Sequence, residues 1–222
     1  MQFTVDGTAL DLTPANLIIA GWTGRNQDAI QHHIDELAEL GVKPPSATPL
    51  FYRVSASLLT TADEIQAVGP ESSGEVEPMI VQDGARRWLG LGSDHTDRAL
   101  EAHSVAMSKQ VCAKPCATQL WDWDGIADRL EDLVLESWIH EGGDWVEYQK
   151  GTAASIRPLA DLIDGAGFDD LAKDGPVAMM CGTFGAIGGV RPAGRFRMRM
   201  TDPATGRSIA HEYATTTLPD IA

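Results

Sequence analysis

Glu75 and Glu77 stand two apart in Gly74-Glu75-Val76-Glu77-Pro78, within an apolar stretch that continues through Met79, Ile80 and Val81. Such a stretch predicts a strand. Alternate residues of a strand point to one face, so the two carboxylates project together. Close carboxylates repel unless a positive charge lies between them, and oxygen-only ligands favour a hard divalent cation such as Mg2+, Mn2+ or Ca2+ over zinc. Asp94 ends a second strand-like run, Trp88 to Gly92, and offers a third oxygen ligand. Without a cation, the same residues form a solvated strand face.

Lys109 follows in Met107-Ser108-Lys109-Gln110. An ammonium beside a metal can clamp a substrate carboxylate or stabilise a developing enolate, although a lone lysine is ordinarily a surface residue. The run Cys181-Gly182-Thr183-Phe184-Gly185-Ala186-Ile187-Gly188-Gly189 is a glycine-rich turn directly after an apolar strand. Its backbone N–H groups and the Thr183 hydroxyl could approach an anion, or it is a loop with unusual backbone angles. It carries no Gly-Lys-Ser/Thr of a P-loop and no Rossmann fingerprint. His33 and Glu36, three apart on an expected helix, share a face and could act as an acid–base dyad or be exposed polar positions. His95 is expected to point away from Asp94. Cys112, Cys116 and Cys181 have no spacing that suits zinc or a disulfide framework and are read as buried thiols. Trp121, Trp123, Trp138 and Trp145 are read as core or dimer contacts.

These groups need elements to hold them. A hairpin is predicted around Asp6-Gly7, and a helix over Asn26–Leu40 from the spacing of Ile30, Ile34, Leu37 and Leu40. Gly41 stops that helix, and Lys43-Pro44-Pro45 forms an extended linker. Short apolar runs from Leu50 to Asp94, broken by glycine and proline, predict strands. A helix is expected over Asp124–Leu130, a hairpin over Asp132–Lys150 around Glu141-Gly142-Gly143-Asp144, and a helix over Ser155–Ile163. Strands are expected at Val177–Cys181, Arg195–Thr201 and Ser208–Thr215. The fold class is α+β and β-rich, with residues 1–48 as an N-terminal hairpin and helix extension and 49–222 as the main domain.

The 222 residues are 43% apolar and carry a formal net charge of −15, which fits a soluble globular chain and opposes binding to nucleic acid phosphates. No apolar run approaches a membrane span, and no secretory signal is visible, so the expected location is the cytoplasm.

In order and type, these motifs resemble the fumarylacetoacetate hydrolase superfamily over about residues 49–215, and within it a bacterial branch known only as a domain of unknown function. Glu75-Val76-Glu77 matches the family's E-x-E metal pair. Ser93-Asp94-His95-Thr96-Asp97-Arg98-Ala99 matches its N-D-x-S/T-A-R-D segment at Asp94, Thr96 and Arg98. Ser108-Lys109-Gln110 matches its lysine segment, and Gly182-Thr183-Phe184-Gly185-Ala186-Ile187-Gly188 its G-T-P-x-G-x-G loop. Pro49-Leu50-Phe51-Tyr52-Arg53 resembles the strand bearing F-x-K-P. Arg53 replaces a lysine, Ala99 the second aspartate and Phe184 the loop proline. Gly24-Arg25-Asn26 is similar to G-R-N-Y, with the histidine displaced to His32 or His33.

The resemblance implies a mixed β roll, a homodimer, and Mg2+ (or Mn2+ or Ca2+) on Glu75, Glu77 and Asp94. It implies a divalent-metal-dependent hydrolase or lyase that cleaves C–C bonds of a small 2-oxo acid or acylpyruvate-like 1,3-dicarbonyl through a metal-bound enolate. Isomerase, hydratase and decarboxylase activities share that chemistry. Lys109, His33 and Glu36 are the implied catalytic residues, with the helix of His33 and Glu36 as a lid. Arg53, Arg98, Gly182 and Thr183 are the implied substrate contacts. The alternatives are a non-catalytic metal- or small-molecule-binding relative, or a sugar-binding module with Trp121 and Trp123 exposed.

Overall fold

The hairpin at the N-terminus forms around the expected dipeptide: Gln2–Val5 pairs antiparallel with Thr8–Asp11. Asp6 and Gly7 take φ of 47° and 82°, the left-handed pair of a tight hairpin turn. The computed structural model describes residues 1–39 and 44–221, apart from the side chains of Ala29, His33, Glu36, Leu37 and Glu39.

Among these residues the hairpin lies at the edge of an eight-stranded mixed sheet. Its order is Thr8–Asp11, Gln2–Val5, Gln119–Asp122, Arg86–Ser93, Val76–Asp83, Val177–Met180, Asn16–Gly21 and Leu50–Val54. Residues on both sides of position 48 therefore build one sheet. Asn16–Gly21 runs parallel to Val177–Met180, which is antiparallel to Val76–Asp83. A five-stranded sheet packs beside it, in the order Asp144–Thr152, Val134–Glu141, Arg195–Thr201, Ser208–Leu218 and Glu64–Val68.

The central strands are apolar on both faces because both faces are covered. Val76, Ile80, Ile18 and Met179 pack with Leu135, Phe196 and Met198 of the second sheet and with Leu162 and Phe168. On the reverse face Met79, Val81, Leu17, Ile19 and Met180 pack with Phe3, Val54 and Leu59. This double burial leaves the carboxylate at position 77 almost wholly enclosed by protein.

The N-terminal helix is Gln27–Glu39, with Ile34 buried. Leu40, Gly41 and Lys43 lie outside the described residues, and Pro44 and Pro45 are non-helical. The helix expected over Asp124–Leu130 is instead a 3-10 stretch, Ala127–Asp132, interrupted at Arg129. Its fully buried anchors, Ile126 and Leu133, flank the stretch and none lies within it, too few apolar contacts to hold an α-helix. The helix expected from Ser155 begins at Leu159 and runs to Gly165, after a 3-10 turn at Ala153–Ser155. Pro158 disfavours helical backbone at Arg157 and resets the start. A further helix, Phe168–Leu171, follows Gly167 at φ 61°. No helix among the described residues is long and apolar enough to cross a membrane.

Candidate metal centre and its cavity

Glu75 immediately precedes and Glu77 nearly opens the strand Val76–Asp83, while Asp94 immediately follows its antiparallel neighbour Arg86–Ser93, with Val76 opposite Ser93. The Asp94 N–H donates to Glu75 O at 3.1 Å, which ties the two strand ends together. The Val76 side chain enters the core on the other face, so both glutamates turn the opposite way. One carboxylate oxygen from each of Glu75, Glu77 and Asp94 lies within 4.8 Å of the others, with Glu77 and Asp94 buried.

Cations surround the trio. Lys109 Nζ pairs with Asp94 Oδ2, Lys114 Nζ lies 2.8 Å from Asp94 Oδ1, and Arg98 Nη2 lies 3.2 Å from Glu75 Oε1. Burial by itself would raise the Asp94 carboxyl, but the two lysines hold it well below the usual carboxylate range. Burial would likewise lower Lys109, and Asp94 and Glu75 reverse the sign and keep it firmly charged. Glu77 has no lysine of its own. Burial first, then repulsion from Asp94 and Glu75, pushes its carboxyl well above the ordinary range. That proton would leave if a cation entered the trio.

Three independent features suit the trio to a hard divalent cation. Its donors are all oxygen. Glu77 is unfavourable as a buried anion until positive charge arrives. Asp94 Oδ1 is buried and meets no aligned hydrogen-bond donor, although the Lys114 ammonium, which donates to His95 O, lies 2.8 Å from it.

The glycine loop is built onto this strand. Gly182 N–H donates to Glu77 Oε2 at 2.7 Å, with Gly182 at φ 94°. A Cβ there would fall 1.7 Å from Thr23 Oγ1, so only glycine fits. The Thr183 hydroxyl donates to Val76 O at 2.7 Å and accepts from Gln149 Nε2 at 2.8 Å. Two of the loop's expected anion donors, the Gly182 N–H and the Thr183 hydroxyl, are thus spent on the strand of the glutamates. Gln149 completes the clamp: its Oε1 accepts from Val76 N–H and Ser137 Oγ, and its Nε2 also donates to Phe184 O. Sequence reading passed over Gln149, whose strand position carries no motif.

Lys114 was also passed over. A single lysine amid Val111, Cys112, Ala113, Pro115, Cys116 and Ala117 was the available signal, since a charge in so apolar a run needs a buried partner.

Glu75 and Glu77 of the trio face a cavity of about 900 Å3 lined also by Lys109, Arg98, Thr183, Tyr52, Trp22 and Phe184, among others, with Asp94 buried behind them. Arg98 is a wall residue whose guanidinium is committed to Glu75, to Glu101 at 2.9 Å and to Ser73 at 2.7 Å. Arg53 is exposed, bonds Asn16 and does not line the cavity, whereas its neighbour Tyr52 does. The helix Gln27–Glu39 reaches the cavity through Ile30. The side chains of His33 and Glu36 on that helix lie outside what is described.

His95 points away from the trio as expected. Its Nδ1 shares a proton with Tyr213 Oη at 3.0 Å and its Nε2 with Ser72 Oγ at 2.9 Å. Burial, then Lys114 and Arg98, pushes it down to about 3, so it is neutral. Cys112, Cys116 and Cys181 are buried free thiols. Trp121 is buried, contrary to the exposure that the sugar-binding module requires of it, and Arg87, Arg199 and Arg197 lie over the rings of Trp123, Trp138 and Trp145.

Residues 20–213 match the family described as protein of unknown function (DUF2848). The chain belongs to that family. No functionally curated protein matches this DUF2848 member. Solved structures of fumarylacetoacetate hydrolase-like proteins share its fold. A candidate fumarylacetoacetate isomerase/hydrolase from Oleispira antarctica superposes with a TM-score of 0.63 at 14% identity, covering 97% of this chain and 100% of that one. 2-Keto-3-deoxy-D-arabinonate dehydratase, complexed with magnesium and 2,5-dioxopentanoate, gives 0.64 at 13% identity over 94% of this chain and 75% of the other. A candidate isomerase from Escherichia coli gives 0.60 at 12% identity over 98% and 99% of the two chains.

Proposed function

We propose that this DUF2848 protein is a Mg2+- or Mn2+-dependent enzyme that acts on a small 2-oxo acid or 1,3-dicarbonyl compound, with hydrolytic C–C cleavage as the first reaction to test. The observation that carries this is the convergence of Glu75, Glu77 and Asp94 within 4.8 Å at a cavity that Lys109 also lines. The magnesium bound to a structural neighbour supports the choice of ion.

Glu75, Glu77 and Asp94 would hold the cation. Bound there, it supplies Lewis acidity toward a carbonyl oxygen and offsets negative charge that develops on it. The chain supplies the rest. Four carboxylates, those of Glu75, Glu77, Asp94 and Glu101, face the three cations Lys109, Lys114 and Arg98, so with Glu77 ionised the side chains there carry about one net negative charge. A divalent ion then leaves an excess of about one positive charge, which suits an anionic substrate. Lys109 is the cation placed to take its carboxylate, because Lys114 is fully enclosed and Arg98 is held by Glu75 and Glu101. Gly182 and Gln149 fix the glutamates in position rather than touch substrate. His33 and Glu36 remain the proposed pair for activating water, and a homodimer in the cytoplasm the proposed state. Isomerisation, hydration and decarboxylation use the same head-group binding and differ in where a proton is delivered.

The test is a panel of acetylpyruvate, oxaloacetate and 2-hydroxydienoates with Mg2+ or Mn2+, comparing wild type with Lys109→Ala. Turnover of at least one compound, reduced about 100-fold or more by the substitution, supports the assignment. Metal binding without turnover of any compound favours a non-catalytic relative.

A further inference from the structure

The cavity is far larger than a three- to five-carbon acid needs. About 900 Å3 lies near the top of the range for drug-sized ligands, roughly 300–1,000 Å3. Its chemistry is also divided. Among the described residues, and apart from Arg25, every charged residue that lines it (Glu71, Glu75, Glu77, Arg98, Glu101 and Lys109) comes from one stretch of chain, residues 71–109. The remaining lining includes Trp22, Ile30, Tyr148, Phe184, Val190 and Pro192. Arg25 adds no free charge there, since its guanidinium grips Glu131 at 2.7 Å and Ile156 O at 3.1 Å. The Tyr148 hydroxyl is likewise engaged, accepting from Arg191 N–H at 3.2 Å.

Two details show that this apolar wall is held in place. Trp22 takes φ 60°, a left-handed conformation that bulky residues rarely adopt, and its Nε1 donates to Tyr52 Oη at 3.1 Å. Tyr52 lies beneath Lys109, 5.9 Å from ring centroid to Nζ, so the Trp22 indole sits where the charged end gives way to the apolar one. Across the cavity Phe184 replaces the loop proline, and its ring packs against Gly151, where a Cβ would approach it to 3.0 Å. Val190, which also lines the cavity, keeps 53% of its surface in water. A ligand reaching that far would cover it.

We infer that the substrate carries an apolar tail, with at least the bulk of a phenyl ring, which lies between Trp22, Ile30, Phe184 and Val190 while its oxo-acid head meets Lys109 and the acidic trio. This rests on the head-group reading above and adds a specificity: an aryl or branched alkyl tail is accepted and a polyhydroxylated one is not. Among the described lining residues the polar side chains near the tail end are Asn26, Ser155 and Tyr148, and hydroxyls that these do not reach would lose their water there.

The experiment compares 2,4-dioxobutanoates that carry methyl, isobutyl, phenyl or trihydroxypropyl groups at C4. Both kcat/KM and calorimetric Kd are measured with Mg2+ present, for wild type, Ile30→Asp and Phe184→Ser. The expected result is at least a tenfold preference for phenyl over methyl, in Kd and in kcat/KM, with trihydroxypropyl the weakest. Each substitution, checked by melting temperature, should reduce the phenyl-to-methyl ratio to threefold or less. Preferential binding of phenyl without turnover of any compound keeps the tail site and overturns the catalytic reading. Equal binding of methyl and phenyl, preference for the trihydroxypropyl compound, an unchanged ratio in both variants, or no binding of any compound overturns the tail site.

Discussion

Lys114 Nζ stands 2.8 Å from Asp94 Oδ1, and both side chains are almost wholly enclosed. Lys109 takes the other oxygen of the same carboxylate. Asp94 is therefore a buried anion balanced from two sides, and either lysine alone leaves it under-compensated.

Lys114→Met should lower unfolding free energy by about 3 kcal/mol or more in urea denaturation, the usual cost of breaking a buried charge pair. Part of that loss should return on adding Mg2+, because a cation in the trio supplies the missing charge. A change below about 0.5 kcal/mol, the scale of ordinary surface substitutions, would show that Lys109 alone suffices.

Gly182→Ala sets a Cβ against Thr23 Oγ1 and forces a side chain onto φ 94°. Overpacking costs typically about 1–3 kcal/mol and the backbone conformation adds a similar amount. Loss of stability in denaturation should come with weaker Mn2+ binding, since the Gly182 N–H that orients Glu77 moves with the loop. Full stability with unchanged Mn2+ affinity would separate the loop from the centre.

Asp202 is a control far from the centre. It closes the turn after Arg195–Thr201 by accepting from Ala204 N–H, Thr205 Oγ1 and Arg129 Nε. Burial opposes its charge, but those donors and the Arg129 charge hold its carboxyl below the ordinary value. A carboxylate with a lowered folded value contributes stability that is present above its unfolded value of about 3.9 and disappears as pH falls through the folded one. Asp202→Asn should thus cost about 1–3 kcal/mol at neutral pH, with the gap to wild type closing below about pH 4. A constant gap from pH 7 to pH 3 would mean that the charge plays no part.

Burial raises all three thiols, Cys116 being pushed up to about 12. A thiol reagent at pH 8 should leave the native protein unlabelled and modify all three cysteines after unfolding. Rapid labelling of Cys181 in the native state would mean that the strand behind Glu77 opens readily.

How much could be read in advance follows from the range of each interaction. The turn at Asp6-Gly7 and the strands through Glu75, Glu77 and Asp94 rest on neighbours in sequence, and local chemistry sufficed. The order of the acidic trio along the chain was legible for the same reason. The roles of Gly182 and Thr183 were not, because their partners, Glu77 and Val76, lie more than 100 residues away and consume the donors that an isolated loop would present. Lys114 and Gln149 escaped because a buried polar residue acquires meaning only from what folds against it. Arg53 was misplaced by one position on a strand, which turns a side chain to the other face, and Tyr52 holds the cavity position.

The most direct test of the centre is a Mn2+ titration of the purified, metal-free protein, followed by calorimetry or by the resonance of free Mn2+, for wild type and Glu77→Gln. Glutamine preserves volume and can still accept from the Gly182 N–H, so the substitution removes little besides the anionic ligand. The account predicts one ion per chain in wild type and at least about tenfold weaker binding in Glu77→Gln. Equal binding in the two proteins, or no binding in either, would contradict it.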